Sequence, residues 1–204
     1  MSDREKIFSD IRAALAPLKD RSPYPEWSRE LPISRQQETF AGPKELFARK
    51  LEAANGRYFD AVEKLGAFLR EEGASFGYCA PEFAGTFAGI DGMTFDTSFD
   101  LAKKDDYAFG ITRASSGIAE SGTLVLKDGV SASRLGALAP WIHIAVLNES
   151  DILPDLPTAI EKFGDDPSII WCTGPSKTAD VEGILIEGVH GPGIQVALVL
   201  SKSS

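Results

Sequence analysis

Four polar loops of the sequence hold the side chains that could do chemistry. They span residues 110–123, 131–134, 172–182 and 188–193. Each loop lies next to an apolar stretch that we predict to be a β-strand. Ligands of open α/β sheets bind at loops that leave the carboxyl ends of strands. We therefore expect these loops to meet at one edge of the sheet and to form a binding site there.

Glu120 is the first catalytic candidate. It is flanked by Ala119, Ser121 and Gly122 at the mouth of a predicted buried strand. Burial disfavours the charged form of a carboxyl group, so desolvation could raise the pKa of Glu120 and allow it to act as an acid, a base or a nucleophile. The alternative interpretation is a solvated or capping carboxylate, which is the commoner role of a lone glutamate in a loop.

His190 is the second catalytic candidate. It lies between Gly188 and Gly191, and glycines let a backbone approach a ligand closely while the imidazole stays in a loop. By contrast, His143 lies within the apolar run 141–146. We interpret His143 as a neutral histidine held in the core.

Two arginines and one hydroxyl-rich loop are candidates for binding a carboxylate. The guanidinium groups of Arg113 and Arg134 are planar forks that suit a small carboxylate, although each alone is more often a surface or ion-pair residue. The loop after Cys172 offers N–H groups and hydroxyls that could cradle a carboxylate or a phosphate, although a polar turn or helix cap has the same composition. The predicted substrate-binding residues are Arg113, Arg134, Thr173, Gly174, Ser176, Thr178 and Gly191.

The sequence gives little support for a metal or nucleotide cofactor. It contains two histidines and two widely separated cysteines, Cys79 and Cys172, so a cysteine-held zinc or iron–sulfur centre is not expected. It contains neither the G-x-x-x-x-G-K-[ST] motif of P-loop sites nor the G-x-G-x-x-G motif of dinucleotide sites. We expect no metal and no cofactor in this chain.

The periodicity of apolar residues predicts an N-terminal helical arm followed by an α/β domain. Helical spacing predicts a helix over 3–18, and the proline-containing segment 20–42 indicates an extended linker. We therefore divide the chain into an N-terminal helix and extended arm, 1–42, and a domain, 43–204. In the domain we predict helices at 43–54, 58–72 and 153–163, and strands at 74–80, 107–112, 122–126, 142–147, 168–172, 183–187 and 194–200.

These elements indicate a layered α/β fold with a mixed sheet. The strands rich in isoleucine, valine and leucine are expected to be buried on both faces. The helix over 153–163 has the spacing of a strand–helix–strand crossover. Residues 81–105 carry glycines through a phenylalanine-rich stretch and give no clear pattern.

The composition excludes several classes of protein. Of the 204 residues, 43% are apolar and 25% are charged, which is typical of a soluble globular domain. The chain has 21 Lys and Arg against 30 Asp and Glu, a net charge of −9, and it lacks the basic stripe that nucleic-acid binding needs. It has neither an apolar run long enough to span a bilayer nor a secretory signal. We expect a cytoplasmic protein without a nucleic-acid partner or a membrane span.

Five segments, in this order, resemble the LUD domain of the lactate utilization protein C family. They are residues 117–126, 133–134, 140–146, 173–180 and 188–193. Together they cover roughly residues 106–202 and are much more specific than any one of them alone. The resemblance makes residues 43–204 a LUD-like domain.

The resemblance implies a fold and a role. The fold is of the NagB/RpiA/CoA-transferase-like kind, a three-layer α/β arrangement. The role is in the oxidation of L-lactate to pyruvate, as one component of a cytoplasmic complex whose other subunits carry iron–sulfur clusters. Because this chain has no cysteine cluster, the clusters are expected in the partner subunits.

The leading hypothesis is therefore an accessory or substrate-handling subunit. Amides of residues 173–178 and either Arg113 or Arg134 would hold the carboxylate of a small 2-hydroxy acid, with His190 near its hydroxyl as a base. An alternative is an enzyme similar to the acyl-CoA transferases of this fold, in which Glu120 attacks an acyl-CoA. A third hypothesis is a non-catalytic interaction module in which residues 3–18 dock onto a partner.

Overall fold

The computed structural model describes residues 2–17, 42–128, 130, 133–164, 166, 168–179 and 185–201. Contacts between Cα atoms divide the chain into two units, Met1–Gln37 and Glu38–Ser204. The predicted linker 20–42 lies outside the described residues except for Gly42. The two-part division of the chain at residue 42 stays a prediction.

The described part of the first unit is the helix α1, Asp3–Leu15. Ser2 caps it: the Ser2 hydroxyl accepts from the backbone N–H of Glu5, and the Glu5 side chain accepts from the backbone N–H of Ser2. This reciprocal pair satisfies two N–H groups that the helix itself leaves unpaired. The predicted helix is confirmed, although it ends three residues earlier than the periodicity indicates.

The second unit contains five helices and twelve strands in its described part. The helices are α2 Pro43–Ala53, α3 Val62–Glu71, α4 Ala84–Phe87, α5 Arg134–Leu138 and α6 Leu156–Phe163. The strands of the first half are β1 Arg57–Phe59, β2 Phe76–Cys79, β3 Thr94–Asp96, β4 Phe109–Arg113, β5 Ser116–Ile118 and β6 Thr123–Lys127. Those of the second half are β7 Ile142–Asn148, β8 Ile152–Leu153, β9 Ile169–Cys172, β10 Lys177–Ala179, β11 Leu185–Glu187 and β12 Ile194–Leu200.

Six strands form a parallel central sheet in the order β1-β12-β7-β4-β2-β3. A second sheet has the order β8-β5-β6-β9 and contains both parallel and antiparallel pairs. Strands β10 and β11 form a separate antiparallel pair. The predicted α/β class, with a mixed or parallel sheet behind an N-terminal helix, is confirmed.

Successive residues of the central strands face opposite layers. In β7, Ile144 and Val146 pack with Leu65 and Leu69 of α3, while Ala145 and Leu147 pack on the other side. That second side is covered by α2 and by the inner face of the four-stranded sheet. Because both faces are covered, β7 and β12 are almost entirely buried, as parallel strands require.

Helix α6 lies on the outer face of the four-stranded sheet. Its Ala159 and Phe163 pack against Ile118 and Val125. The helix connects β8 to β9, the two edge strands of the second sheet, which run parallel to each other. The predicted strand–helix–strand crossover is therefore present, within the second sheet and starting from β8. Strand β9 is only partly buried because it lies at an edge, which corrects the expectation that such apolar strands are buried on both faces.

Two predicted helix starts are wrong for the same physical reason. Residues 57–59 form β1, because they pair with β12 from the far end of the sequence, and α3 begins only at Val62. Leu153 pairs with Ile118, so α6 begins at Leu156, where Asp155 caps its first turn. Long-range strand pairing overrides local helical periodicity at both positions.

Candidate functional site

A surface groove of about 520 Å³ lies between α6 and the edge of the second sheet. We call it the Glu120 groove. It is lined by Glu120, Ser121, Thr123, Leu156, Ile160, Trp171 and Thr173. The turn between β5 and β6 supplies the first two residues, β6 begins with the third, and α6, β9 and the residue after β9 supply the others.

Glu120 is fixed at the start of α6. Its Oε1 accepts a hydrogen bond of 2.7 Å from the backbone N–H of Leu156, and its own backbone N–H donates to the carbonyl of Pro154 at 3.2 Å. The first turn of a helix has unpaired N–H groups and a positive dipole end, both of which favour a carboxylate. Glu120 is therefore a half-buried anion held in one place by backbone donors.

Three hydroxyls run side by side along the groove. The Oγ of Ser121 lies 2.7 Å from the Oγ1 of Thr123, which lies 2.6 Å from the Oγ1 of Thr173. We call this set the hydroxyl chain. Three hydroxyls carry three protons, and the two bonds between them use two. One O–H donor of the hydroxyl chain therefore remains for a ligand.

Strand register explains why these threonines meet. Leu124 is paired with Cys172 in the antiparallel β6–β9 ladder, so the preceding and following residues of the two strands, Thr123 and Thr173, lie opposite each other. Side chains directly opposite in an antiparallel pair are close enough to interact. The hydroxyl chain thus depends on residues 50 positions apart.

The remaining wall of the groove is apolar and open. Leu156 and Ile160 lie four residues apart on one face of α6, and Trp171 lies on β9. Their exposed fractions are 42%, 44% and 39%. Among the described residues that line the groove, Glu120 is the one charged group and no arginine or lysine takes part.

The two predicted arginines lie outside the lining of this groove. Arg113 ends β4, where its Nε and Nη2 donate to the Glu82 carboxylate at 2.9–3.1 Å and its guanidinium lies 4.9 Å from the centre of the Phe83 ring. Arg134 begins α5 and donates to Asp128 at 2.8 and 2.6 Å. Each guanidinium is thus held by an acidic side chain of this chain.

Ser176 and Gly191 are brought together by backbone hydrogen bonds. The N–H of Ser176 donates to the carbonyl of Pro192, and the N–H of Gly188 donates to the carbonyl of Ser176, both at 2.9 Å. His190 lies exposed in the same loop, which packs against the indole of Trp141.

The last two predicted binding residues have structural neighbours. Gly174 has a φ of 75° and lies against the carbonyl of Ala54 at the end of α2. Thr178 lies in β10 opposite Ile186. Of the predicted residues, Glu120 and Thr173 share one groove, whereas Ser176, Gly191 and His190 share one loop cluster.

The prediction that the four loops meet at one edge of the sheet is wrong. Arg113 lies at the carboxyl end of β4, whereas the loop 188–193 leads into β12 and lies at the amino end of that parallel strand. In a parallel sheet, a loop that precedes a strand lies at the edge opposite to a loop that follows one, and this separates them.

Five groove residues were not among the predicted site residues. Ser121 and Thr123 flank Gly122 beside Glu120, so hydroxyls on both sides of a turn glycine were a usable signal. No such signal marked the other three, Leu156, Ile160 and Trp171, because apolar residues in a helix or a strand are ordinarily interpreted as core residues.

His143 and Cys79 are buried, and Cys172 is partly buried. His143 accepts or donates at 2.9 Å to Thr112 and 3.0 Å to Gln195, and burial lowers its pKa to about 4, so the ring is neutral as interpreted from the sequence. Burial raises the pKa of Cys79 to about 12 and that of Cys172 to about 11. Both thiols are protonated at neutral pH.

In the part of the chain that is described, no group of three or more histidine, cysteine, aspartate or glutamate side chains is placed to hold a metal ion. No helix in these ranges combines the length and the apolar character that a membrane crossing requires.

The sequence of this chain is similar to a known domain family and to named proteins. Residues 100–200 match the family model of the LUD domain. The chain is 41% identical over 102 residues to a Lactate utilization protein C of Geobacillus sp. (strain WCH70), covering 44% of this chain and 42% of that protein. It is 35% identical over 109 residues to that of Bacillus subtilis (strain 168), covering 50% and 45%. The match thus spans less than half the length of these relatives.

A solved structure shows the same fold. The crystal structure of a DUF162 family protein from Deinococcus radiodurans superposes with a TM-score of 0.57 at 20% sequence identity, covering 78% of this chain and 96% of that chain. The family model and the relatives named lactate utilization protein C confirm the resemblance noted from the sequence. Residues 100–200 of this chain thus match the LUD domain family.

Proposed function

We propose that this chain takes part in lactate utilization as a substrate-handling subunit of a complex that oxidises L-lactate to pyruvate. The observation that carries the proposal is the similarity to the lactate utilization proteins C of Geobacillus and Bacillus subtilis. All seven residues that line the Glu120 groove lie within the LUD segment 100–200. The groove is therefore the part of this family's domain that we assign to substrate.

The groove offers one partner for each part of a 2-hydroxy acid. The carboxylate of Glu120 would accept a hydrogen bond from the 2-hydroxyl and would take up its proton when the acid is oxidised. The remaining O–H donor of the hydroxyl chain would bind the substrate carboxylate. The methyl group would lie against Leu156 and Ile160, whose exposed surface is apolar.

Oxidation of a 2-hydroxy acid also breaks the C–H bond at carbon 2, which releases a second proton and two electrons, and we assign the removal of that proton and of both electrons to other subunits. The two cysteines of this sequence are far apart, and burial keeps both thiols protonated, whereas iron–sulfur clusters are held by several thiolates. We propose that partner subunits carry iron–sulfur clusters to accept these electrons.

Isothermal titration calorimetry with L-lactate and with pyruvate tests the proposal. We expect L-lactate to bind the purified chain, and the Glu120→Gln variant to bind it about tenfold more weakly because the amide is a poorer acceptor for the 2-hydroxyl than a carboxylate. Glu63→Gln on α3, outside the groove lining, is the matched control and should bind as the native chain does. Absence of binding by both L-lactate and pyruvate would contradict the substrate-handling role.

The position of Glu120 also favours one alternative, acyl transfer. Its carboxylate lies beside an apolar wall that could hold an acyl group. A carboxylate oxygen of Glu120 would attack the thioester carbonyl of an acyl-CoA, forming a mixed anhydride and releasing CoA as the thiolate. Intact-mass measurement after incubation with acetyl-CoA should then show one added acetyl group in the native chain and none in Glu120→Gln. An unchanged native mass would rule this alternative out.

A further inference from the structure

The apolar wall of the Glu120 groove is larger than a three-carbon acid can cover. Leu156, Ile160 and Trp171 are all large, and each exposes roughly two fifths of its surface. A lactate methyl group would contact only a small part of them. Contiguous exposed apolar surface bordered by polar groups is typical of protein interaction sites, and tryptophan is enriched among the residues that dominate binding energy there.

The groove is also incomplete for an anionic ligand. Among the described residues that line the groove, Glu120 is the one charged residue, and none of the others is a cation. A bound carboxylate would experience the negative charge of Glu120 and of a chain with a net charge of −9. A positively charged group supplied from outside would remove this repulsion and would itself bind the carboxylate.

Elsewhere in this chain, an arginine binds a carboxylate that lies next to an aromatic ring. Arg113 binds the Glu82 carboxylate through two guanidinium nitrogens and at the same time lies over the Phe83 ring. A carboxylate next to an aromatic ring is thus satisfied by one arginine, through hydrogen bonds and a cation–π contact. The Glu120 groove presents a carboxylate and the indole of Trp171.

We propose that the Glu120 groove docks a segment of a partner protein in which an arginine or lysine is flanked by apolar side chains. The basic group would lie at Glu120, and the apolar side chains would cover Trp171 and the parts of Leu156 and Ile160 that the substrate methyl group leaves exposed. The identity of the partner rests on the proposed function: it would be another subunit of the lactate-oxidising complex. The partner's basic group would complete the site for the substrate carboxylate.

Charge argues against a second copy of this chain as the occupant. Two copies would each bring a net charge of −9 to the contact, and like charges repel association. A basic segment is attracted by the same field. The proposal therefore commits to a different protein with local positive charge.

Short capped peptides test the docking directly. The probes are Ac-Leu-Arg-Leu-NH₂, the same peptide with norleucine in place of arginine, and the same peptide with glutamate there. Binding is followed through the indole N–H signals of a ¹⁵N-labelled chain. We expect the arginine peptide to shift the Trp171 signal and to bind about tenfold tighter than the norleucine peptide, because a charged hydrogen bond to Glu120 is added.

Variants locate the contact. Glu120→Gln should abolish the preference for arginine over norleucine, whereas Glu63→Gln should keep it. Ile160→Ala should weaken both peptides, and the signal of Trp141, which lies outside the groove lining, should not move. Equal binding of the arginine and norleucine peptides, or shifts at Trp141 instead of Trp171, would overturn the proposal. So would a concentration-dependent dimer in sedimentation velocity that Trp171→Ala abolishes.

The peptide result and the lactate result separate the two proposals. Peptide binding at Trp171 without any lactate binding would leave the docking site standing and remove the substrate role. Lactate binding without any preference for the arginine peptide would support the substrate role and rule out the docking site.

Discussion

The Oγ1 atoms of Thr123 and Thr173 lie 2.6 Å apart, a hydrogen bond that joins the start of β6 to the end of β9. The bond ties the two edges of the Glu120 groove together. Because Thr123 also bonds Ser121, the turn that carries Glu120 is connected through hydroxyls to the strand that carries Trp171. The contact thus adds a side-chain link to the β6–β9 ladder at this end of the groove.

Removal of the Thr173 hydroxyl should loosen that connection. Thr173→Val keeps the shape of the side chain but leaves the buried Thr123 hydroxyl with one partner fewer, at an expected cost of about 1 kcal/mol in the free energy of unfolding. Thr173→Ser keeps the hydroxyl and should cost less. Urea unfolding of the three proteins measures this, and a valine variant more stable than the serine variant would contradict the role of the bond.

Gly122 should be irreplaceable in the turn beside Glu120. It has a φ of 68°, and a Cβ there would overlap the backbone nitrogen of Leu51. Gly122→Ala should therefore lower the free energy of unfolding by at least about 1–2 kcal/mol from the backbone conformation alone. Gly85→Ala in α4, where a Cβ meets nothing within 4 Å, is the control and should be neutral or slightly stabilising. Equal stability of the two variants would show that the turn does not require glycine at position 122.

His143 should resist protonation in the folded chain. Burial lowers its pKa from 6.5 to about 4, so the unfolded chain binds a proton at this site more readily than the folded one between those values. The neutral ring therefore contributes stability above pH 6.5 that is lost as the pH falls towards 4, up to about 3 kcal/mol.

Long-range ¹H–¹⁵N spectra of the imidazole rings read this protonation directly. The signal of His143, assigned by comparison with a His190→Asn variant, should stay that of a neutral ring down to pH 5. A midpoint near pH 6.5 in the folded protein would show that burial does not keep the ring neutral.

Both cysteines should react slowly with alkylating reagents. The thiolate is the reactive form, and raising the pKa of Cys172 from 9.0 to about 11 leaves about a hundredfold less thiolate at pH 8. Cys79, with a pKa of about 12, should react more slowly still. Iodoacetamide labelling followed by peptide mass spectrometry gives the two rates. Labelling of Cys172 at the rate of free cysteine would contradict its burial.

The strands of the central sheet could be predicted because their composition carries the signal. Long runs of β-branched and aliphatic residues mark β7 and β12 regardless of their neighbours. The three-residue strand β1 was not predicted, because it is defined by a partner distant in sequence, β12. Helix α5 was missed for a related reason, since its five residues are too short to show a period.

The candidate site was predictable only in part, because its geometry depends on pairing. Glu120 and Thr173 could be selected by residue type and by their position next to strands. Their shared groove follows from the β6–β9 register and from α6 lying on that sheet. The predicted meeting of Arg113 and His190 failed because the loop 188–193 enters the parallel strand β12, whereas Arg113 lies at the carboxyl end of β4.

The central claim is that the Glu120 groove binds the 2-hydroxy acid, and the indole N–H signal of Trp171 tests it most directly. Titration of the ¹⁵N-labelled chain with L-lactate should shift Trp171 together with the backbone amides of Ser121 and Leu156, and Glu120→Gln should greatly reduce these shifts. Lactate-induced shifts confined to His190 and Trp141, or none at all, would contradict the claim.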